Sequence, residues 1–208
     1  MSARIVAFGE AALLVELEQR IDPAVAARAA AIADRWEALG HGPAVPTYAC
    51  VLLRYDPLVL DASAAEAAAA RAILDAPAAP LAGRLVEIPT RYDGPDLDDV
   101  ARLSGMSRRE IIDAHTSREH PAYFLGFMPG FAYCGGLDPR IIAPRLPSPR
   151  TRVPAGSVAV VDGQTAVYPA TSPGGWRLIG TTDVVAFDAH RDPPALIRPG
   201  DRVRFVAR

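Results

Sequence analysis

The sequence predicts an α+β protein in two parts. A ferredoxin-like α+β domain is expected over residues 1–80, and a β-barrel domain over residues 84–208. Three observations carry this reading. The first 80 residues run strand–strand–helix–strand–helix. APAAPLAG (76–83) then punctuates the chain with Pro77, Pro80 and Gly83, as a linker would. From residue 121 helical periodicity vanishes, and short apolar runs alternate with Gly/Pro turns, the pattern of a barrel or closed sandwich.

The elements follow in order. RIVAFGEAALLVEL (4–17) reads as two short strands broken at Gly9-Glu10. Asp22-Pro23 opens a helix, with Asp22 as the cap and Pro23 where a missing N–H costs nothing; the apolar stripe 25, 29, 32, 36, 39 ends at Gly40. ACVLLRYDP (49–57) is a strand closed by Asp-Pro. A second helix starts near Asp61, where Ser63 and Glu66 suit a capping box, and runs to about Ala76. RLVEIP (84–89) is a strand. PDLDDVARLSG (95–105) and SRREIIDAHTS (107–117) are short helices, the second with a Ser107/Glu110 capping box. YFLGF, SVAVV, TAVYPA, WRLIG, VVAF and RVRFV are the strands of the second domain.

Composition narrows the functional classes. The 208 residues suit one or two domains, since domains run to roughly 100–200 residues. Half are hydrophobic, enough for a real core, and a net charge of −2 gives no pull toward nucleic acid or an anionic membrane. All 22 basic residues are Arg, which excludes a Lys nucleophile, a Schiff base and a phosphate-loop Lys. The two cysteines, Cys50 and Cys134, stand far apart and form no metal-binding spacing, so no metal site and no disulfide framework are expected. The first residues make a poor signal peptide and are too short to span a bilayer; a soluble cytoplasmic protein is expected.

Chemistry-bearing residues cluster in the second half. GFMPGFAYCGG (126–136) packs four glycines, one proline and three aromatics into eleven residues with no charge, which reads as a rigid apolar lining. His115 near the end of its helix either meets the helix dipole or faces that lining. His120, before Pro121, reads as a turn residue, and His190 as part of a surface loop. Arg150 and Arg152 stand two apart between prolines; in an extended chain they point the same way and could clamp an anion, or they are solvated charges. Gln164 and Tyr168 share a strand face, and Gly174-Gly175-Trp176-Arg177 is either a tight hairpin or a binding loop. GxSxG is absent, and Ser157 reads as the start of a strand.

Together these motifs carry a resemblance. The run from HTSREHPAYFLGFMPGFAYCGG through PRTRVPAGSV to SPGGWRLIG, with GEAALLVEL near the start and PALIRPGDRVRFV near the end, resembles the allophanate hydrolase subunit 1 family. This KipI/PxpB type includes the B subunit of prokaryotic 5-oxoprolinase. The resemblance implies a cyclophilin-like barrel behind a ferredoxin-like domain. It implies one component of a complex, working with a paralogous, cyclophilin-like C subunit and with the A subunit to cleave 5-oxo-L-proline to L-glutamate at the expense of ATP. ATP would be held by the partner chains, and the isolated chain would be inactive. Carried over by motif, Phe127, Pro129, Phe131, Tyr133, Gln164, Tyr168, Trp176 and Arg177 would bind substrate, and His115, Arg150 and Arg152 would be catalytic. Where many relatives have Gly-Arg-Thr, this chain has Gly180-Thr181-Thr182, which leaves an anion contact at 181 open. Two other readings share these motifs: an inhibitor docking on a sensor histidine kinase, and a component related to urea carboxylase or allophanate hydrolase.

Overall fold

The computed structural model describes residues 3–77 and 83–208. The chain divides into two compact units, Met1–Leu81 and Ala82–Arg208. Of the linker expected at 76–83, residues 78–82, and with them Pro80, lie outside the described residues.

The first unit holds β1 (Arg4–Ala7), β2 (Ala12–Glu16), α1 (Pro23–Ala38), β3 (Ala44–Pro46), β4 (Cys50–Arg54) and α2 (Ala62–Asp75). The four strands form an antiparallel sheet in the order β1-β2-β4-β3. The sequence pattern misses β3, a three-residue edge strand next to Gly42 and Pro43; its Pro46 is tolerated because an edge strand has one unpaired side. Alternation along β2 and β4 buries Leu13, Val15, Val51 and Leu53 in one core with Val25, Ala29, Ile32, Trp36, Ala65 and Ala69 from the helices. Asp22 caps α1 by accepting from the Ala24 and Val25 N–H groups at 2.8 and 3.3 Å. At α2 the expected Ser63/Glu66 capping box does not form. Asp61 is the N-cap and accepts from Ala64 N–H at 2.8 Å, which places Ser63 and Glu66 inside the helix.

The second unit runs β5 (Leu85–Thr90), α3 (Leu97–Ser104), α4 (Arg108–Thr116), β6 (His120–Leu125), β7 (Ala132–Cys134), β8 (Arg150–Val153), β9 (Ser157–Val161), β10 (Gln164–Val167), β11 (Ser172–Gly174), β12 (Arg177–Thr181) and β13 (Arg202–Ala207). Seven strands order as β12-β9-β10-β7-β6-β13-β5, and a bridge between Arg91 and Thr181 joins the outer two, nearly closing a barrel. The bridge pairs the two outer strands at one point and so covers part of both open edges. β8 and β11 form a separate two-stranded ribbon. VVAF (184–187), expected as a strand, makes only an isolated bridge from Phe187 to Ala195. The capping box at Ser107/Glu110 is present.

β9 explains an all-apolar run that has no alternation. Val158 and Val160 join the core shared with β5, β13, α3 and α4, while Ala159 and Val161 join a second core with Phe131, Val153, Tyr168, Trp176 and Leu178. Both faces of this strand are covered, so no polar face survives.

His115 corrects the sequence reading. With Ile111 and Ala114 it forms the buried stripe of α4, and it is fully enclosed. It does not charge the helix end, and its ring nitrogens bond Tyr92 and Thr165 rather than the aromatic residues of 126–136. Thr165 Oγ1 donates to the Ala159 carbonyl at 3.0 Å, so it accepts from His115 Nε2–H at 2.9 Å; Nδ1 then accepts from the Tyr92 hydroxyl at 2.7 Å. His120 is a buried strand residue, not a turn residue, with its ring nitrogens against the carbonyls of Gly135 and His115 at 3.1 and 3.0 Å.

Burial holds His115 well below its ordinary 6.5, with His120 adding to the effect. Burial also lowers His120, although the two carbonyls pull it back up. The unfolded chain takes protons on both rings near pH 6.5, and the folded chain resists them. These residues therefore contribute stability that is full above that pH and lost as the pH falls through it. The melting temperature should drop between about pH 7.5 and 5.5, a window above the range of ordinary carboxylates. A flat melting temperature across that window would show that the folded chain takes up protons on these rings as readily as the unfolded one.

Candidate functional site

Five aromatic rings converge at the outer end of the second core. The β6–β7 connection brings Phe127 and Phe131, β7 brings Tyr133, the end of β10 brings Tyr168, and the turn between β11 and β12 brings Trp176. Phe131 is the hub and is only 1% exposed. Its ring stands edge-on to Phe127, Tyr133, Tyr168 and Trp176, with centroids 5.4, 5.0, 5.2 and 5.5 Å away. Edge-to-face contacts of this kind add about 0.5–1.5 kcal/mol each beyond buried area. The rings line a cleft of about 240 Å³ together with Arg145, Pro149, Pro173, Gly174 and Gly175.

The local sequence explains why glycine, proline and aromatics share this place. The Gly126 carbonyl accepts from Met128 N–H at 2.7 Å, which turns the chain around Phe127 with φ at 67°. That is the rare, strained form of the three-residue turn, and a bulky side chain in it costs on the order of 1–3 kcal/mol. It holds the Phe127 ring out at the mouth, 60% exposed. Gly174 is required for a different reason: a Cβ there would collide with the Tyr168 hydroxyl. Burial raises the Tyr168 and Tyr133 hydroxyls above their ordinary 10.0, while Arg145 pulls both down. Both hydroxyls are therefore protonated at neutral pH.

The structure sorts the residues singled out from the sequence. Phe127, Phe131, Tyr133, Tyr168 and Trp176 come together at the cleft. Pro129 is exposed in the turn and does not line it. Gln164 shares the Tyr168 face but sits at the other end of β10, about 13 Å along the strand, and is not a lining residue. His115 lies in the other core of this unit. Arg177 is buried and pairs away from the cleft: Nη1 donates to Asp99 at 3.1 Å and Nε to the Pro144 carbonyl at 3.1 Å. Trp176 and Arg177 are successive residues, so they leave the chain on opposite sides.

The arginine pair splits as well. Arg150, 28% exposed, donates Nη2 to Asp96 at 2.7 Å, and its buried Nη1 has no partner among the described residues. Arg152 is exposed and makes no ion pair there. The register of β8 against β11 shifts between Ser172 and Gly174, and this irregularity interrupts the regular alternation that the sequence reading assumed. Thr181, where the sequence leaves an anion contact open, donates its hydroxyl to Asp93 at 2.8 Å. Sequence reasoning missed Arg145, although it stands in the same proline-framed stretch, APRLPSPR, as Arg150.

The carboxyltransferase domain, subdomain C and D, family profile matches residues 3–197. The B subunit of the Bacillus subtilis (strain 168) 5-oxoprolinase is 51% identical over 126 residues, which are 59% of this chain and 52% of that protein. The match thus spans about half the length of that relative. Among solved structures, TTHA0988 superposes with a TM-score of 0.83 at 40% identity, covering 95% of this chain and 40% of that one. The uncharacterized protein PH0987 from Pyrococcus horikoshii gives a TM-score of 0.59 at 36% identity over 99% of this chain and 97% of its own.

The Arg150–Asp96 contact is a structural tie, and this has a measurable consequence. Asp96 is buried and also accepts from Leu178 N–H at 2.7 Å. Arg150→Ala leaves its carboxylate short of a charged donor, at a cost of about 1.5–3 kcal/mol. Arg152→Ala should leave the melting temperature unchanged, and Arg150→Ala should lower it. Equal melting temperatures for the two variants would return Arg150 to the solvated class.

Proposed function

Because the chain belongs to the carboxyltransferase domain, subdomain C and D, family and groups there with the B subunits of 5-oxoprolinases, we propose that it is the B subunit of an ATP-dependent 5-oxoprolinase. In this reading it works with the A and C subunits in the cytoplasm to open 5-oxo-L-proline to L-glutamate. The observation that carries the reading is the aromatic cleft, whose lining includes no carboxylate. A lactam is a poor electrophile, and hydrolysis at the expense of ATP requires its carbonyl oxygen to be activated while water is kept out. Five rings around a cleft exclude water and raise the strength of every electrostatic contact inside it. The contribution of this chain is to hold the ring, orient it and keep the site dry.

The residues here do not fit ATP by themselves. Phosphates favour helix N-termini with free N–H groups. Asp22, Asp61 and Asp96 occupy the N-cap positions of α1, α2 and α3, and Ser107 with Glu110 occupies that of α4. Three carboxylates at the caps, with Asp98, Asp99 and Glu110 in first turns, repel a phosphate, so nucleotide binding falls to the partner chains.

The fold reading is consistent with this assignment. Started from β2, the first unit runs β–α–β–β–α, the ferredoxin-like order without its last strand, and β1 fills the edge beside β2. The nearly closed sheet of the second unit, capped by α3 and α4, is read as cyclophilin-like.

The test is reconstitution. This chain with the A and C subunits should hydrolyse ATP in a 5-oxoproline-dependent way, and the chain alone should show no turnover. Phe127→Gly should keep or raise the melting temperature, since glycine relieves the left-handed backbone. It should lower turnover of the complex by about 2- to 10-fold through the lost ring contact. Turnover by the isolated chain, or no 5-oxoproline dependence in the complex, would sink the proposal.

A further inference from the structure

The charges around the cleft are not equivalent. Arg150 is neutralised by Asp96 at 2.7 Å and Arg177 by Asp99 at 3.1 Å. Arg145 has no ion pair or hydrogen bond among the described residues, and it is the cation in the cleft lining. Its guanidinium carbon lies 5.9 Å from the centroid of the Trp176 ring, at the outer limit of a cation–π contact.

The backbone on both sides of Arg145 is fixed. The Pro144 carbonyl accepts from Arg177 Nε at 3.1 Å, and Leu146 N–H donates to the Gly175 carbonyl at 2.8 Å. The segment also begins and ends with proline, at Pro144 and Pro147. An exposed arginine normally pays side-chain entropy for each contact it makes, and a fixed backbone with a ring beneath the guanidinium reduces that cost. The Arg177–Asp99 pair therefore acts through Arg145: Arg177 is a positioning residue that holds the Pro144 end of this segment.

An unneutralised guanidinium at the rim of an apolar box is complementary to a ligand with a compact ring and one anionic group. Resting on the substrate reading above, we propose that Arg145 is the specificity-determining residue of the cleft, binding the carboxylate of a small cyclic acid whose ring packs against Tyr133, Tyr168 and Trp176. A carboxylate is favoured over a larger anion because the cleft is only about 240 Å³. A carboxylate also matches the planar fork of arginine in two parallel hydrogen bonds.

Calorimetric titration of the purified full chain tests this, with L-5-oxoproline, its carboxylate-free analogue 2-pyrrolidone, and cyclopentanecarboxylate as probes. Arg145→Gln should weaken binding of L-5-oxoproline by about 10- to 100-fold, with Arg145→Lys recovering only part. 2-Pyrrolidone should bind weakly, and equally well to the parent chain and to Arg145→Gln. Melting temperatures of both variants should match the parent, because the side chain is exposed and unpaired; if Arg145→Gln does not fold, the comparison rests on Arg145→Lys. The proposal is overturned if L-5-oxoproline binds Arg145→Gln as tightly as the parent, if 2-pyrrolidone rivals the acid, or if no cyclic acid binds. Binding of cyclopentanecarboxylate but not 5-oxoproline, with the same dependence on Arg145, would uphold this assignment and defeat the 5-oxoprolinase reading.

Discussion

The geometry of the second unit hangs on one buried carboxylate. Asp96 holds the N-cap position of α3 but does not cap it. Its backbone N–H donates to the Leu178 carbonyl at 2.9 Å, one carboxylate oxygen accepts from Leu178 N–H at 2.7 Å, and the other accepts from Arg150. A single residue thereby joins the start of α3, the strand β12 and the ribbon strand β8. A buried charge is expensive unless it is paired and hydrogen-bonded, and these contacts make the arrangement tolerable. A helix N-terminus also favours negative charge, so the dipole of α3 adds to the same end.

The consequences reach the cleft through β12. Its first residue, Arg177, follows Trp176, and Leu178 is the residue that Asp96 grips. Fixing Leu178 fixes the direction of the strand, which sends Arg177 toward Asp99 and leaves Trp176 against Phe131. Arginines that a reading of charge alone would place in a binding site are used here as frame. What is left for recognition is the cation that the frame does not neutralise.

Much of the fold was legible in the sequence because local signals and tertiary demands agree. Asp22-Pro23 and Ser107/Glu110 cap the helices they announce, and the strand runs around β2, β4, β9, β10, β12 and β13 carry their own apolar patterns. The strands that escaped notice, β3, β7, β8 and β11, are three or four residues long; β3, β8 and β11 contain Gly, Pro or Arg, and β7 lies inside the Gly/Pro-rich run 126–136. Such segments become strands only because a neighbour offers hydrogen bonds, and no local pattern records that. The aromatic members of the site were equally legible, since a charge-free run rich in rings and glycines has few other uses. The arginines were not. Whether an arginine is free depends on a carboxylate 54 or 78 residues away, as with Asp96 and Arg150 or Asp99 and Arg177, and sequence spacing does not encode such pairs. His115 failed for a related reason: a helix end suggested a dipole partner, while the buried stripe of α4 decided its place.

The stretch that joins glycine, proline and aromatic residues resolves into a division of tasks. Aromatic rings give a dry wall, but large rings crowd one another unless the backbone yields space. Gly174 yields it to the Tyr168 hydroxyl, and Gly130, with φ at 79°, yields it to Phe187. Phe127 shows the opposite bargain: a large residue is kept in a backbone conformation that glycine would fill more easily. Stability alone would replace it, because its ring is mostly in solvent and contributes little burial to offset the strain. Its position at the mouth is therefore better explained by what the ring covers when the cleft is filled than by anything it does for the empty fold.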